Sequence, residues 1–334
     1  MSDLRSLGRN GPLVNAIGLG TMSIAGAYGQ QNTPEEKLAF LDYAHSIGQR
    51  FWDTADIYFD SEAIIGQWLK RYGKRDDIFL ATKFGLSYDA SMNQSIRSDP
   101  EYVRMACERS LEKLGVEAID LYYCHRADGV TPIEKTVEAM AQLKREGKIR
   151  YIGLSEVSAA TLRRAHAVHP ISALQIEYSP FCLDIESPQS DVLRTCRELG
   201  IAVVAYSPMG RGLLTGQFKS RRDLREQDFR CMIPRYSEGL DRLLKIVERF
   251  RVIGEAHGST PSQVALAWLL AQGLDIIPIP GTRSIKYLEE NAAAVNLRLS
   301  DEEVAEIRDL VQKANFVGDR YPTIMPIFPD TPEL

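Results

Sequence analysis

Short runs of β-branched, aromatic and other apolar residues alternate with longer segments of helical periodicity from one end of the chain to the other. Eight of these runs read as strands: residues 16–20, 50–53, 78–82, 119–123, 151–154, 173–177, 201–205 and 276–279. Most are apolar throughout rather than alternating, the pattern of parallel strands covered on both faces. The segments between them carry helix-start signals. Thr33-Pro34-Glu35-Glu36 and Thr131-Pro132-Ile133-Glu134 each offer an N-cap, a proline at the first helical position and a capping-box Glu. Thr260-Pro261-Ser262-Gln263 and Ser300-Asp301-Glu302-Glu303 repeat the arrangement, and Asp99-Pro100 and Ser187-Pro188 give simpler versions. Gly48, Gly115, Gly147 and Gly200 stand where helices end. In the first helix Leu38, Leu41, Ala44 and Ile47 form one apolar stripe.

Eight strand–helix units without a break in composition predict an α/β fold. The expected form is one (β/α)8 TIM barrel spanning 1–334 as a single domain, rather than a doubly wound sheet. Residues 4–14, with Gly8, Asn10 and Gly11, read as a short N-terminal hairpin ahead of the first barrel strand. Two segments fall outside the repeat: a long basic loop at 217–240 and a Pro- and aromatic-rich C-terminal tail at 315–334.

Composition narrows the function. A chain of 334 residues with 44% hydrophobic and 25% charged residues has material for a large core. A net charge of −5 argues against nucleic acid as a partner, since phosphate neutralisation needs a basic surface. The five cysteines include no CxxC pair, so neither a zinc site nor a disulfide framework is expected. The start, MSDLRSLGRNGPLV, lacks a signal-peptide core, and no apolar run reaches the roughly 18 residues of a membrane span. These features predict a cytoplasmic protein with no membrane partner; its oligomeric state is open.

In such barrels the chemistry sits where strands meet the following loops. The polar residues there are Asp53 then Tyr58, Lys83, His125, Ser155, Gln175, Tyr206-Ser207 and Gly281-Thr282-Arg283. Singly, Asp53 could be a cap, Lys83 its surface mate, His125 a core histidine and Tyr58 a half-buried aromatic. As a set they come from successive units, and barrel closure aims them at one mouth. A phenol has a reference pKa of about 10, and a neighbouring ammonium lowers it. A carboxylate keeps that ammonium charged and fixed. Asp53 is thus the expected partner of Lys83, and Tyr58 the acid that the pair tunes.

Eight motifs in order give the chain a resemblance to the aldo-keto reductase family: IGLGTM (17–22), FWDTADIY (51–58), ATKFG (81–85), DLYYCHR (120–126), GLSEVS (153–158), QIEYSPF (175–181), AYSPMGRGLLTG (205–216) and IPIPGTRSIKYLEEN (277–291). HRAD, GLSEVS and PMGRGLLTG are similar to the fungal pyridoxal-reductase-like branch. The resemblance implies NADPH-dependent reduction of a small-molecule carbonyl substrate, with Tyr58, Asp53, Lys83 and His125 as the catalytic tetrad. It implies that Ser155 and Gln175 bind the nicotinamide carboxamide and that Tyr206 stacks on the ring. Ser207, Gly210, Arg211, Gly212 and Leu213 would follow the pyrophosphate. Gly281, Thr282 and Arg283 would hold the 2′-phosphate, with Tyr287, Glu290 and Asn291 near adenine. No metal is implied.

Two positions depart from the family pattern: Glu156 stands where Asn is frequent, and Phe59 follows Tyr58 where Gly is common. Gly18-Leu19-Gly20 begins like a dinucleotide fingerprint, but the third glycine and the prompt helix are missing, so the Rossmann reading fails. The loop arginines Arg221, Arg222, Arg225, Arg230 and Arg235 read either as a solvated surface or as a lid over the pyrophosphate. The tail aromatics Phe316, Tyr321 and Phe328 either close over substrate or pack on the barrel base. Tyr28, Phe59, Phe84 and Arg126 are further pocket candidates. A second class of function is a cofactor-binding regulatory subunit similar to potassium-channel β subunits, which share this fold and cofactor site. A metal-dependent hydrolase lacks ligands, only His166 and His169 lying close in sequence.

Overall fold

The computed structural model describes residues 3–26, 32–88, 94–223, 228–237, 239–314, 318–321 and 328–334; Tyr28, Arg225 and Phe316 lie outside the described residues. The strands are β1 (Leu4–Ser6), β2 (Leu13–Asn15), β3 (Leu19–Gly20), β4 (Phe51–Asp53), β5 (Phe79–Phe84), β6 (Leu86–Tyr88), β7 (Gln94–Ile96), β8 (Ile119–Cys124), β9 (Ile149–Ser155), β10 (Ala173–Glu177), β11 (Ala202–Tyr206) and β12 (Ile276–Pro278). Eight of them form one parallel sheet in the order β12-β11-β10-β9-β8-β5-β4-β3. A parallel bridge between Gly20 and Gly281 joins its two edges.

That seam explains why the first strand, expected over 16–20, contracts to two residues. Gly18 N–H donates to Pro278 O at 2.9 Å and Gly20 N–H to Pro280 O at 3.1 Å. Prolines have no N–H to return, so the ladder runs one way only. The glycines of the rejected fingerprint belong to the same seam. A Cβ on Gly20 would lie 2.9 Å from Ile279 O, and one on Gly18 2.7 Å from the Phe51 ring.

Strand alternation sorts the barrel into two cores. Phe51, Ala81, Leu121, Tyr123, Ala173, Ala202, Val204 and Ile277 face inward as one cluster. Trp52, Leu80, Tyr122, Ile152, Leu174 and Val203 face outward against the helices. The predicted hairpin forms as β1 and β2, antiparallel, with Leu4 opposite Asn15. Its Val14, together with Leu7 of the turn, joins the inner cluster and closes the end of the barrel where the strands begin.

Helix starts at Thr33 and Thr260 carry full capping boxes. Ser300 and Glu303 exchange the same reciprocal bonds, and Asp99 caps Tyr102 N–H. Two starts differ. Asp128 takes both the N–H and the hydroxyl of Thr131, leaving helix Ile133–Arg145 without a side-chain cap. Ser187-Pro188 instead follows a 3-10 turn, Asp184–Glu186, and the helix begins only at Val192. The antiparallel β6–β7 hairpin lies outside the eight predicted strands. No helix among the described residues is long and apolar enough to cross a membrane.

Candidate active site

The same parity that turns Phe51, Ala81, Tyr123 and Ala173 inward carries Asp53, Lys83, His125 and Gln175 to the far end of the barrel interior. Gly153 makes room there, because a Cβ at that position would come within 2.3 Å of the Tyr123 ring. Three of the four residues expected to act together are buried: Asp53 at 2%, Lys83 at 0% and His125 at 9% exposure. Tyr58, in the loop after β4, is half-buried beside them.

Lys83 Nζ donates to Asp53 Oδ1 at 2.5 Å and to the Thr54 carbonyl at 2.7 Å. Gln175 Nε2 donates to the other Asp53 oxygen at 2.7 Å. The ammonium also lies 4.9 Å from the centre of the Tyr58 ring. Across from it the His125 ring meets Tyr58 edge-on, with centroids 6.0 Å apart.

Burial opposes the Lys83 ammonium, but Asp53 and Tyr58 outweigh it and hold the group above its ordinary value. Burial pushes the Asp53 carboxyl up against the pull of Lys83 and Gln175. Burial also raises the Tyr58 phenol; Lys83 pulls it down and Asp53 pushes it up again. The lowering expected from Lys83 alone is therefore reversed, because burial outweighs it and the carboxylate that anchors the ammonium adds to the rise. Tyr58 stays protonated at neutral pH, which is the state a proton donor needs. His125 is held well below its ordinary value by burial, then by Lys83 and Arg126, so its imidazole is neutral. Its Nδ1 is buried with no hydrogen-bond partner.

The residues expected around the cofactor form an arc over the same mouth. Ser155 Oγ accepts from Arg126 Nη1 at 3.2 Å. Ser207, Gly210, Arg211 and Gly212 all have positive φ, between 50° and 90°, which curls this backbone after β11. Leu213 is fully buried beneath it. Thr282 Oγ1 accepts from Ser284 N–H, and helix Ile285–Ala293 begins with no side-chain cap. Arg283 and Lys286 lie at that open end. Tyr287 OH accepts from Gln217 at 2.8 Å, which ties the start of the basic loop to this helix. Glu290 accepts from Thr260, and Asn291 is buried.

Arg211 departs from its expected use. Its guanidinium lies on Glu177 at 2.9 Å and stacks 4.5 Å from the centre of the Tyr321 ring, so its side chain belongs to a buried ionic cluster. The hub of that cluster is the departure at Glu156. Arg320 from the tail reaches both Glu156 oxygens, at 2.9 and 3.1 Å, and Glu177 at 3.4 Å. Glu156 also accepts from Glu177 N–H and from Tyr206 OH, and Tyr206 OH meets Tyr321 OH at 2.8 Å. The described tail thus lies across the mouth. Further on, Thr331 bonds the helix starts at Ile133 and Thr161, which seats this described part of the tail away from the barrel base. Both departures fall on left-handed backbone, Phe59 at φ 42° and Glu156 at φ 53°, where Gly and Asn are the easy choices. Phe59 is 68% exposed at the rim. In the loop, Arg221 and Arg222 are exposed, Arg230 packs on Phe218, and Arg235 pairs with Asp184.

The ionic hub has a titration signature. Burial alone would raise the Glu156 carboxyl, but Arg320 and Arg126 hold it below its ordinary value of 4.5. A depressed acid stabilises the fold above its unfolded value, and that contribution is lost as pH falls through the folded value. The free energy of urea unfolding should fall below about pH 4.5, and less steeply in Glu156→Gln. Identical slopes for both proteins would contradict the assignment.

Among the described residues no group of three or more His, Cys, Asp or Glu side chains is gathered to hold a metal. His166 Nδ1 accepts from the Ile171 backbone, and His169 Nδ1 lies 2.9 Å from Pro170 O.

Residues 16–312 match the model of the aldo/keto reductase family. The chain is 54% identical over 336 residues to the aldo-keto reductase str7 of Strobilurus tenacellus, covering 99% of this chain and 98% of that one. It is 48% identical over 327 residues to the aldo-keto reductase yakc [NADP(+)] of Schizosaccharomyces pombe, covering 96% of each. Among solved structures, the glycerol dehydrogenase of Gluconobacter oxydans superposes with a TM-score of 0.84 at 28% identity, covering 98% of this chain and all of that one. The chain therefore belongs to the aldo/keto reductase family, and it is an NADP(H)-dependent oxidoreductase acting on carbonyl and CH–OH groups.

Proposed function

We propose that the protein reduces an aldehyde or ketone, with Tyr58 donating the proton to the carbonyl oxygen. The observation that carries this reading is the buried Lys83 ammonium held between the Asp53 carboxylate and the Tyr58 ring, opposite a neutral His125. When bound, NADPH supplies the hydride. A carbonyl oxygen between Tyr58 and His125 meets a protonated phenol on one side and an imidazole N–H on the other. His125 orients and polarises the carbonyl, and Tyr58 protonates the oxygen as negative charge develops there. Lys83 stabilises the phenolate left behind; Asp53, fixed by Gln175, keeps Lys83 aimed. The low-dielectric surroundings make each of these interactions stronger than in water.

The remaining site residues suit the dinucleotide. Ser155 and Gln175 would hold the carboxamide, and Tyr206, anchored through its hydroxyl, would present its ring to the nicotinamide. The left-handed backbone at Ser207 and 210–212 would curl around a pyrophosphate, its shape held by the bonds that Gly210 and Gly212 N–H donate to Ser207 O and Met209 O. The Gln217–Tyr287 bond supports the loop as a strap over this groove. Gly281, Thr282 and Arg283 would take the 2′-phosphate, with Tyr287, Glu290 and Asn291 beside adenine.

The dissociation constants of NADPH and NADH, measured by fluorescence titration, test the cofactor reading. NADPH should bind more tightly, and Arg283→Ala should erase most of the difference. A lost charge-assisted pair costs about 1.5–3 kcal/mol, roughly ten- to a hundredfold. Equal constants in the unmodified protein would refute the phosphate site.

A further inference from the structure

Arg126 directly follows His125 and is 92% buried at the mouth, being only 8% exposed. The other buried cations of the mouth each have a carboxylate. Lys83 has Asp53, Arg211 has Glu177, and Arg320 has Glu156 and Glu177. Among the described residues Arg126 makes no direct ion pair with a carboxylate, although Glu156 lies within electrostatic reach of it. Its Nη1 donates to the His125 carbonyl at 2.7 Å and to Ser155 Oγ at 3.2 Å, both neutral, and Tyr206 is its other polar neighbour. The nearest candidate acid, Glu156, is committed to Arg320, Tyr206 OH and Glu177 N–H.

A buried guanidinium whose one neighbouring carboxylate is bonded directly to another arginine has room for a second anion, and such an arrangement beside the reacting groups favours a ligand that brings one. The expected phosphate-binding elements lie elsewhere, after β11 and β12, whereas Arg126 follows β8 beside His125. Nη1 is spent on neutral acceptors and Tyr206 adjoins the guanidinium as a further neutral partner; the Nε–Nη2 edge is the side of the fork that receives a carboxylate through two hydrogen bonds.

We propose that Arg126 selects carbonyl substrates that carry their own carboxylate, so that the preferred substrate class is oxo acids rather than neutral aldehydes. This rests on the reading of the mouth as a carbonyl-reducing centre. The guanidinium would grip the carboxylate while Tyr58 and His125 face the carbonyl of the same molecule. Binding energy gathered at that distant group would orient the reacting one.

The test compares 3- and 4-carboxybenzaldehyde with their methyl esters, using NADPH and steady-state kinetics. The acid-to-ester ratio of kcat/KM within one protein cancels effects that a substitution has on both substrates. In the unmodified protein the ratio should exceed about ten for at least one isomer. Arg126→Met should lower that ratio ten- to a hundredfold, and Arg126→Lys should leave it between the two. Should the variants fold poorly, the unmodified protein still decides, because benzoate should compete with a neutral aldehyde far better than benzamide does. A ratio near one with equal inhibition by benzoate and benzamide would overturn the proposal. So would a ratio that survives in Arg126→Met, or an Arg126→Met defect confined to NADPH affinity. Failure of the unmodified protein to reduce any member of the series while binding NADPH would instead count against the carbonyl-reducing reading itself.

Discussion

Tyr58→Phe is expected to lower kcat and kcat/KM together by about 10²–10⁴-fold, the usual worth of a positioned general acid. The change removes one oxygen from a half-buried ring and leaves the edge-on contact with His125 and the packing over Lys83 in place. Folding and NADPH affinity should therefore stay close to those of the unmodified protein. An effect confined to KM would point to lost substrate binding instead, since the phenol acts mainly where negative charge develops on oxygen. Steady-state kinetics with a neutral aldehyde, alongside circular dichroism and a cofactor titration, separate these outcomes.

Lys83→Met is expected to cost activity and about 3–5 kcal/mol of folding stability, because it strands a buried Asp53 with only Gln175 and no cation. Burial already pushes the Asp53 carboxyl up, so the variant should take up a proton there rather than keep the bare charge. Combining Lys83→Met with Asp53→Asn removes both charges, and most of the lost stability should return. Activity should not return with it, since no ammonium remains to stabilise a Tyr58 phenolate. Urea unfolding of the two single variants and the double variant measures this. A double variant as unstable as Lys83→Met would show that the pair is not the source of the loss.

The barrel was legible because parallel strands covered on both faces leave apolar runs, and because capping boxes such as those at Thr33 and Thr260 mark the helices between them. Tyr58, Asp53, Lys83 and His125 were legible only as a set: each alone has an ordinary structural explanation, but together they stand at or just after the ends of successive apolar strands. Alternation then brings them together at one mouth. The β6–β7 hairpin leaves no such signal, because Leu86–Tyr88 and Gln94–Ile96 are too short to show a pattern. Glu156 stood out as a departure, but its role did not, since its partner Arg320 lies 164 residues away in a tail without periodicity. Arg211 was expected to follow the pyrophosphate through backbone and side chain; only the structure reveals Glu177 beside its side chain. Both misses concern ion pairs between distant segments, which leave no trace in local sequence.

The central claim is that the Tyr58 hydroxyl delivers the proton during the chemical step, and single-turnover kinetics tests it most directly. Protein preloaded with NADPH is mixed with excess aldehyde, and loss of the reduced nicotinamide is followed through the first turnover, before product release intervenes. The account predicts that Tyr58→Phe slows this first turnover by about 10²–10⁴-fold relative to the unmodified protein. Equal first-turnover rates in a folded, NADPH-loaded Tyr58→Phe protein would contradict it.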